Sequence, residues 1–337
     1  MSGTGTPSIP AGLTVREAAA QDNDALIALE LESPLLIGGV EETFDRSPDF
    51  FACQRLHEEH MVVLAELEGR VAGVMAGVIH TPVIQGRPHR LVYIHRARVH
   101  PGFRGRRVAW AMAQELFAWA GRRGAEGPYY LIAPENKPSN DFVERGGGRW
   151  PTEATLWEFD VAAAHGSPAH GVTERQLDDV VEMVNTTHSG EEFFEPLTPD
   201  SLAARLRARL YGVSSLRGLY EGGKLVAVAG LWDRGATTER IHFDSTTGTT
   251  SRSRGAAVPD WGWAVGWRKA FPELLRALAA EARALGRSGL TICEPLRGAV
   301  PDIGLARRRS TAAVYTPTLL PPPRDLISGL WVDLLHV

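Results

Sequence analysis

The amino-acid sequence predicts an α/β protein with a mixed (α+β) sheet, folded as two consecutive domains. Apolar, strand-like segments alternate with helical patterns through residues 14–161, which indicates a sheet covered by helices. The chain has 337 residues and therefore exceeds the size at which a single hydrophobic core remains efficient. Part of the order of elements repeats in the second half, so two related domains are expected.

The elements of the first half follow from hydrophobic periodicity and from the residues that start or stop each segment. The turn around Gly69 joins two apolar runs and indicates a hairpin. A later helix places Val108, Met112 and Leu116 on one face, and Gly121 ends it. The predicted strands are residues 14–18, 61–66, 71–79, 91–99, 129–132 and 155–161, and the predicted helices are residues 22–31, 49–58, 108–119 and 140–144.

Composition and the partial repeat set the expected domain boundaries. The expected parts are a flexible N-terminus at residues 1–13, a first domain at residues 14–161, a linker at residues 162–171 and a second domain at residues 172–337. In the second domain, a hairpin at residues 218–231, a helix at residues 271–285 and a strand at residues 290–293 repeat the succession of the first. The sequence therefore predicts an internal duplication.

The segment before the second long helix departs from the repeat. Residues 246–255 are rich in Ser, Thr, Arg and Gly, and we expect them to form a mobile excursion. The tryptophans that follow, Trp261, Trp263 and Trp267, either pack inside the domain or line a ligand groove. Packing is the commoner use of such residues.

Bulk properties exclude several classes of function. The apolar fraction of 44%, the charged fraction of 23% and the net charge of −4 are ordinary for a globular protein and do not indicate nucleic-acid binding. No apolar run is long enough for a membrane helix, and residues 1–10 have no apolar signal core. The two cysteines, Cys53 and Cys293, match no metal-binding spacing. We expect a cytoplasmic protein without a metal cofactor.

The segment at residues 98–109 carries the strongest functional signal, and it reads Arg-Val-His-Pro-Gly-Phe-Arg-Gly-Arg-Arg-Val-Ala. It connects a predicted strand to a predicted helix. Such a loop exposes several backbone N–H groups at the positive end of the helix, and this arrangement binds pyrophosphate. The surrounding arginines would add attraction for the phosphates of a small anionic cofactor.

The same residues resemble the coenzyme A loop of the GNAT N-acetyltransferase superfamily, which reads Val-x-Pro-x-x-Arg-Gly-x-Gly-x-Ala or close to it. Arg107 departs from this pattern because it stands where the family usually has its second glycine. The resemblance implies the acyl-CoA N-acyltransferase fold in two tandem copies, of which the second is degenerate because it lacks the loop. It implies acetyl-CoA as co-substrate.

The resemblance also assigns the cofactor-binding residues. The backbone at Arg98 and Val99 would pair with the pantetheine arm like an added strand, and Asn136 and Ser139 would contact the cofactor from the next loop. The phosphate loop itself would contribute Arg104, Gly105, Arg106, Arg107, Val108 and Ala109. Phe142 occupies the position where the family commonly has a tyrosine that protonates the leaving thiolate.

Two aromatic residues on the strand before the loop are the candidate catalytic residues. Tyr93 occupies the strand position at which many relatives have a glutamate, and His95 shares its face. His95 titrates in the useful range and is the first choice as general base, the alternative being a structural histidine. Tyr93 is expected to form a wall of the substrate site and not to act as a catalyst. Glu41 and Glu42 would either attract a cationic amine or remain surface charges.

These observations predict an N-acetyltransferase that acts on the amine of a small molecule or an amino acid, with no nucleic-acid or membrane partner. One alternative is a catalytically silent acyl-CoA-binding or regulatory protein, which the departures at Arg107 and Phe142 favour. A second is an aminoacyl-tRNA-dependent transferase, which the net negative charge disfavours. The sequence leaves open whether the chain forms a homodimer.

Overall fold

The computed structural model describes residues 9–208, 210–295, 298–316 and 334. The helices are α1 (Asn23–Glu32), α2 (Val108–Arg122), α3 (Lys137–Arg145), α4 (Leu177–Thr187), α5 (Pro199–Leu206) and α6 (Phe271–Ala284). The strands are β1 (Thr14–Glu17), β2 (Leu35–Ile37), β3 (Val40–Asp45), β4 (His60–Leu67), β5 (Arg70–His80), β6 (Val83–Ile84), β7 (Arg87–Pro88), β8 (Leu91–Val99), β9 (Gly127–Ile132), β10 (Arg149–Asp160), β11 (His170–Gly171), β12 (Leu216–Glu221), β13 (Lys224–Gly230), β14 (Glu239–Asp244), β15 (Thr249–Ser253), β16 (Gly255–Ala257), β17 (Gly262–Trp263), β18 (Gly289–Glu294) and β19 (Arg307–Thr316). None of the described helices is long and apolar enough to cross a membrane.

A nine-stranded mixed sheet runs through both halves of the described chain. Its strand order is β1-β4-β5-β8-β9-β19-β10-β18-β16. Neighbouring strands are antiparallel except for the pairs β8–β9 and β16–β18, which are parallel. Two four-stranded sheets, β11-β12-β13-β17 and β15-β14-β3-β2, and the small pair β6-β7 flank it. The mixed α/β architecture predicted from the sequence is confirmed.

The two halves exchange strands at the centre of the large sheet. Strand β19 comes from the second half, yet it lies between β9 and β10 of the first half and pairs with both. Strand β10 in turn pairs on its other edge with β18 of the second half. The predicted strand at residues 155–161 thus forms, but both of its neighbours come from beyond the linker. The predicted boundary at residues 162–171 stays a prediction.

Glycine in β5 allows α2 to lie close to the sheet. A Cβ atom on Gly73 would lie 2.8 Å from Cε of Met112 in α2 and 2.9 Å from the carbonyl oxygen of Arg98 in β8. The buried face of α2, including Val108 and Leu116, packs in this space. The N-terminus of α2 is thereby fixed beside the end of β8.

Two local predictions are wrong. Residues 49–58 form turns and a short 3-10 helix at Gln54–Leu56 instead of a helix. Side-chain oxygens of Asn23 and Asp49 accept from the backbone N–H groups of Phe50 and Phe51, and such bonds compete with helix formation.

Residues 246–255 are also not a separate excursion, because β15 pairs with β14, which pairs with β3 of the first half. The carboxylate of Glu239 in β14 bonds Arg252 and Arg254 across the hairpin. The serine- and threonine-rich composition is thus that of an exposed strand.

We expect Gly73→Ala to lower the free energy of unfolding by about 1–3 kcal/mol, because the added methyl group overpacks the contact between α2 and β5. The Arg98 carbonyl cannot move away without disturbing the pairing of β5 with β8. Urea denaturation measures the change. Gly121→Ala is the matched control: its Cβ meets no atom within 4 Å, and alanine favours the helix by up to about 1 kcal/mol. Equal stability of the two variants would contradict the packing argument.

Candidate active site

The loop between β8 and α2 has the geometry of an anion-binding site. Residues Pro101–Phe103 form a 3-10 turn, and the buried Phe103 ring anchors it. Gly105 follows with φ of +77°. Within the described residues, several backbone N–H groups at this point donate to no acceptor, namely those of Gly105, Arg107, Val108, Ala109 and Trp110. Together with the helix dipole, these groups form a concentrated positive site.

Arg107 keeps the loop in the shape that a glycine would give it. Its φ is +61°, in the left-handed region that favours glycine, and it directly precedes the first residue of α2. Holding a non-glycine residue there costs about 1–3 kcal/mol. The side chain is exposed. The departure from the family pattern therefore changes the side chain at this corner and leaves the backbone path in place.

The other two loop arginines are bound to the protein itself. Arg104 donates to the carbonyl oxygens of Val99, at 3.3 Å, and Pro34, at 3.1 Å. Arg106 forms an ion pair with Glu68 and lies 5.5 Å from the centre of the Phe103 ring. Both side chains therefore position the loop. The free backbone N–H groups and the exposed Arg107 are what the loop presents to an anion.

Strands β8 and β9 diverge beside this loop. They pair in parallel only from Leu91–Gly127 to Tyr93–Tyr129. Beyond this point β8 continues along β5, whereas Tyr130 to Ile132 pair with β19. A cavity of about 810 Å³ opens between the two strands, with walls from β2, β3, β8, β9, α3, β14 and β19. From this cavity to the phosphate loop, the same edge of β8 pairs with no strand in the part of the chain that the structure describes.

A β-bulge lies in β8 where it borders the cavity. Ala76 pairs with His95 and Val74 pairs with Arg98, so that Arg96 and Ala97 together face Met75. Arg96 takes a φ of +51°. The extra residue breaks the strict alternation of side chains along the strand. As a result, both His95 and Arg98 line the cavity.

His95 is placed as a neutral imidazole in the cavity wall. Its ring stacks on that of Tyr93, with centroids 5.2 Å apart, and its Nε2 atom is buried without a hydrogen-bond partner in the described part of the chain. Burial, and then the charge of Arg96, hold the pKa of His95 well below 6.5. The unprotonated form therefore dominates at neutral pH.

Tyr93 forms a wall of the cavity. Its side chain is buried, and its ring lies 5.0 Å from that of Tyr129. Burial raises the pKa of the phenol above its ordinary value of 10, so the hydroxyl keeps its proton at neutral pH. This favours the wall role that the sequence suggested over a role as a base.

The loop from β9 to α3 forms the opposite side of the cavity. Asn136 caps α3, its Oδ1 accepting from the backbone N–H of Ser139 at 3.4 Å, and both residues line the cavity. Asn140 holds the loop by donating to the carbonyl oxygens of Ala133 and Pro134 at 3.2 and 3.0 Å. Sequence reasoning missed Asn140. Phe142 also lines the cavity, with no hydroxyl to offer.

The second half contributes residues that the sequence did not single out. They include Trp232, Arg234, Thr238, Arg240 and His242. The pairing of β14 with β3 brings them to the cavity, where His242 Nε2 lies 2.6 Å from Glu42 Oε2. Of the two glutamates considered above, Glu42 lines the cavity and Glu41 is exposed. The cavity residues of the second half lie in segments whose sequence is that of an ordinary surface strand. No sequence signal therefore marks them as functional.

Cys53 lies at the same wall. Its Sγ is 3.4 Å from Oγ1 of Thr237. Burial alone would raise the pKa of the Cys53 thiol, but the charges of Arg96 and Arg46, together with hydrogen bonds to Thr237 and Arg96, leave it below the ordinary value of 9.0. The lowered value reports how positive this part of the cavity is.

Comparison with known proteins agrees with this geometry. Residues 24–148 match the acetyltransferase (GNAT) family. No curated protein matches the chain significantly. A crystal structure of Saccharomyces cerevisiae N-myristoyltransferase with bound myristoyl-CoA superposes with a TM-score of 0.67 and 9% identity, covering 98% of this chain and 92% of that one. A GCN5-related N-acetyltransferase from Sphaerobacter thermophilus superposes with a TM-score of 0.59 and 14% identity, covering 97% of this chain and 99% of that one.

The likeness to these solved structures extends over nearly the whole chain, so it includes the second half as well as the first. The sequence match covers the segment that contains the phosphate loop and both diverging strands. Residues 24–148 therefore form a domain of the acetyltransferase (GNAT) family, which indicates an acyltransferase.

Proposed function

We propose that the chain transfers an acetyl group from acetyl-CoA to the amine of a small molecule. The observation that carries this proposal is the continuity of the unpaired β8 edge, which connects the phosphate loop at one end with the cavity at the other. One extended ligand with a pyrophosphate and a thioester fits both ends.

The residues present fit coenzyme A along its length. The free N–H groups at the start of α2 suit the pyrophosphate, and the exposed Arg107 suits a further phosphate. The backbone of β8 around Arg98 and Val99 offers an unpaired edge to the amides of the pantetheine arm, in the way that a sheet accepts an extra strand. The cavity volume of about 810 Å³ is within the usual range for small-molecule sites.

The chemistry requires a neutral amine. When bound, acetyl-CoA supplies an activated acyl group, and the residues around it must remove a proton from the acceptor. An alkylammonium has a pKa of about 10.4 in water. Burial and the charge of Arg96 disfavour the ammonium form in the cavity, as they disfavour protonation of His95. His95 Nε2, which has no partner in the described residues, is placed to accept the proton.

The leaving group needs little help from the protein. A thiol has a pKa of about 8.5, so its thiolate can leave without a proton donor. Phe142 at the family's tyrosine position is therefore compatible with turnover. A backbone N–H at the point where β8 and β9 diverge would stabilise negative charge on the thioester carbonyl oxygen.

We expect Gly105→Ala to weaken acetyl-CoA binding about tenfold or more, because a Cβ strains the left-handed backbone that aims the loop N–H groups. Isothermal titration calorimetry measures the affinity. Gly124→Ala is the matched control: its φ is +79° and its Cβ also meets no atom within 4 Å, but it lies at the other end of α2. Both variants should lose about 1 kcal/mol of stability, and only the first should lose affinity. Equal affinities of the two variants for acetyl-CoA would contradict the assignment of the loop N–H groups as the pyrophosphate site.

We expect His95→Gln to lower kcat about 100-fold while leaving the affinity for acetyl-CoA unchanged, because the variant removes the proton acceptor and keeps a polar side chain. Since burial lowers the pKa of His95, the acidic limb of kcat/KM that depends on it should lie below pH 6.5.

Release of free thiol across a panel of amines measures turnover. His165→Gln, an exposed histidine outside the cavity, is the control. Full turnover by His95→Gln would refute the assignment of His95 as the general base. Acetyl-CoA binding by the unaltered chain without turnover on any amine would instead favour a catalytically silent protein.

A further inference from the structure

The cavity wall is rich in arginine. Its lining residues include seven arginines and three glutamates. Three of the arginines already have carboxylate partners. Nε of Arg46 lies 2.5 Å from Oε2 of Glu30. Arg240 lies 3.4 Å from Glu42, and Arg308 lies 2.7 Å from Glu158. These pairs neutralise part of the wall.

The other four lining arginines form no ion pair within the described residues. Arg309 is exposed and donates to Oγ1 of Thr155, and the remaining three are Arg96, Arg98 and Arg234. Arg96 donates to the carbonyl oxygen of Phe50 and to Oε1 of Gln54 at 3.1 and 3.0 Å, both of which are uncharged acceptors.

Arg98 is only 8% exposed, donates to the carbonyl oxygen of Ala97 at 3.0 Å, and its Nε has no partner. The side chain of Arg234 donates to no acceptor in the described part of the chain and lies 5.7 Å from the centre of the Trp232 ring. The indole Nε1 of Trp232 is likewise buried without an acceptor.

Among the described residues, no carboxylate lies within ion-pair distance of these three guanidinium groups, although Arg96 is also hydrogen-bonded to Cys53. Burial, and then the charge of Arg46, lower the pKa of Arg96 to about 10, and burial with Arg240 lowers that of Arg234 to about 10. Both guanidinium groups still carry their charge at neutral pH. Buried charges without partners are costly, and an oxyanion is the group that would satisfy guanidinium and indole donors together.

We propose that the acceptor carries, besides its amine, a compact oxyanion such as a carboxylate, which binds at Arg234 with Arg96 and Arg98. This inference rests on the proposed function and narrows the acceptor to amino acids and related anionic amines. Arg96 directly follows His95 in β8, and both line the same cavity as Arg234. The anion site therefore adjoins the residue assigned to proton transfer.

The first test needs no variant. The chain is incubated with acetyl-CoA and either the twenty L-amino acids or the corresponding amino-acid amides, and free-thiol release is measured. For at least one amino acid, kcat/KM should exceed that of its amide about tenfold or more, because the amide lacks the charge that the arginines bind. The N-acetyl form of that amino acid should also raise the melting temperature, whereas its amide should not.

Variants of Arg234 test whether the oxyanion of the acceptor binds at this residue. Arg234→Gln should raise KM for the preferred amino acid about tenfold or more, change KM for its amide much less, and leave the affinity for acetyl-CoA unchanged. Arg234→Lys should restore part of the affinity, since it keeps the charge without the planar fork. Arg122→Gln, at an arginine on the exposed face of α2, is the matched control and should change nothing.

The outcomes separate the two proposals. Transfer to amides as fast as to amino acids, or an unchanged KM in Arg234→Gln, would overturn the anion site and leave the acetyltransferase intact. Failure of acetyl-CoA to bind in calorimetry would overturn the proposed function itself, and the anion site as part of an acceptor pocket with it.

Discussion

Strand β19 hydrogen-bonds to β9 on one edge and to β10 on the other, and the shape of the active site depends on this double pairing. Beyond Tyr129, β9 pairs with β19 and no longer with β8. The two strands can therefore separate without leaving β9 isolated. In the proposed function a ligand binds along this edge of β8, and the bulge at Arg96 brings His95 and Arg98 to the cavity.

The same exchange brings opposite halves of the chain to one cavity. The first half provides the phosphate loop, His95 and the loop that Asn140 holds. The second half provides Trp232 and Arg234, through residues adjoining β14. In the proposed function the loop between β8 and α2 binds the acyl donor, and residues of both halves surround the acceptor. A second half that has no phosphate loop of its own can still shape the acceptor site.

The electrostatics of the cavity link stability to function. Excess arginine in a buried wall is costly to the empty fold, but it disfavours protonation of both an amine and His95 and favours an anion. The carboxylates of Glu30, Glu42 and Glu158 each pair with an arginine of the wall. They offset only part of its positive charge. An enzyme that must bind an amine in its neutral form benefits from such a field.

The sequence by itself determined the fold class, the phosphate loop and the strand that leads into it, because these depend on short segments whose periodicity and turn residues are local. It also marked Arg107 as a departure, although only the backbone conformation showed that the loop keeps its path. The turns at residues 49–58, the β15 strand and the arginine wall were decided by tertiary structure. Their residues meet through pairing between distant strands, such as β3 with β14, and local patterns carry no information about such long-range partners.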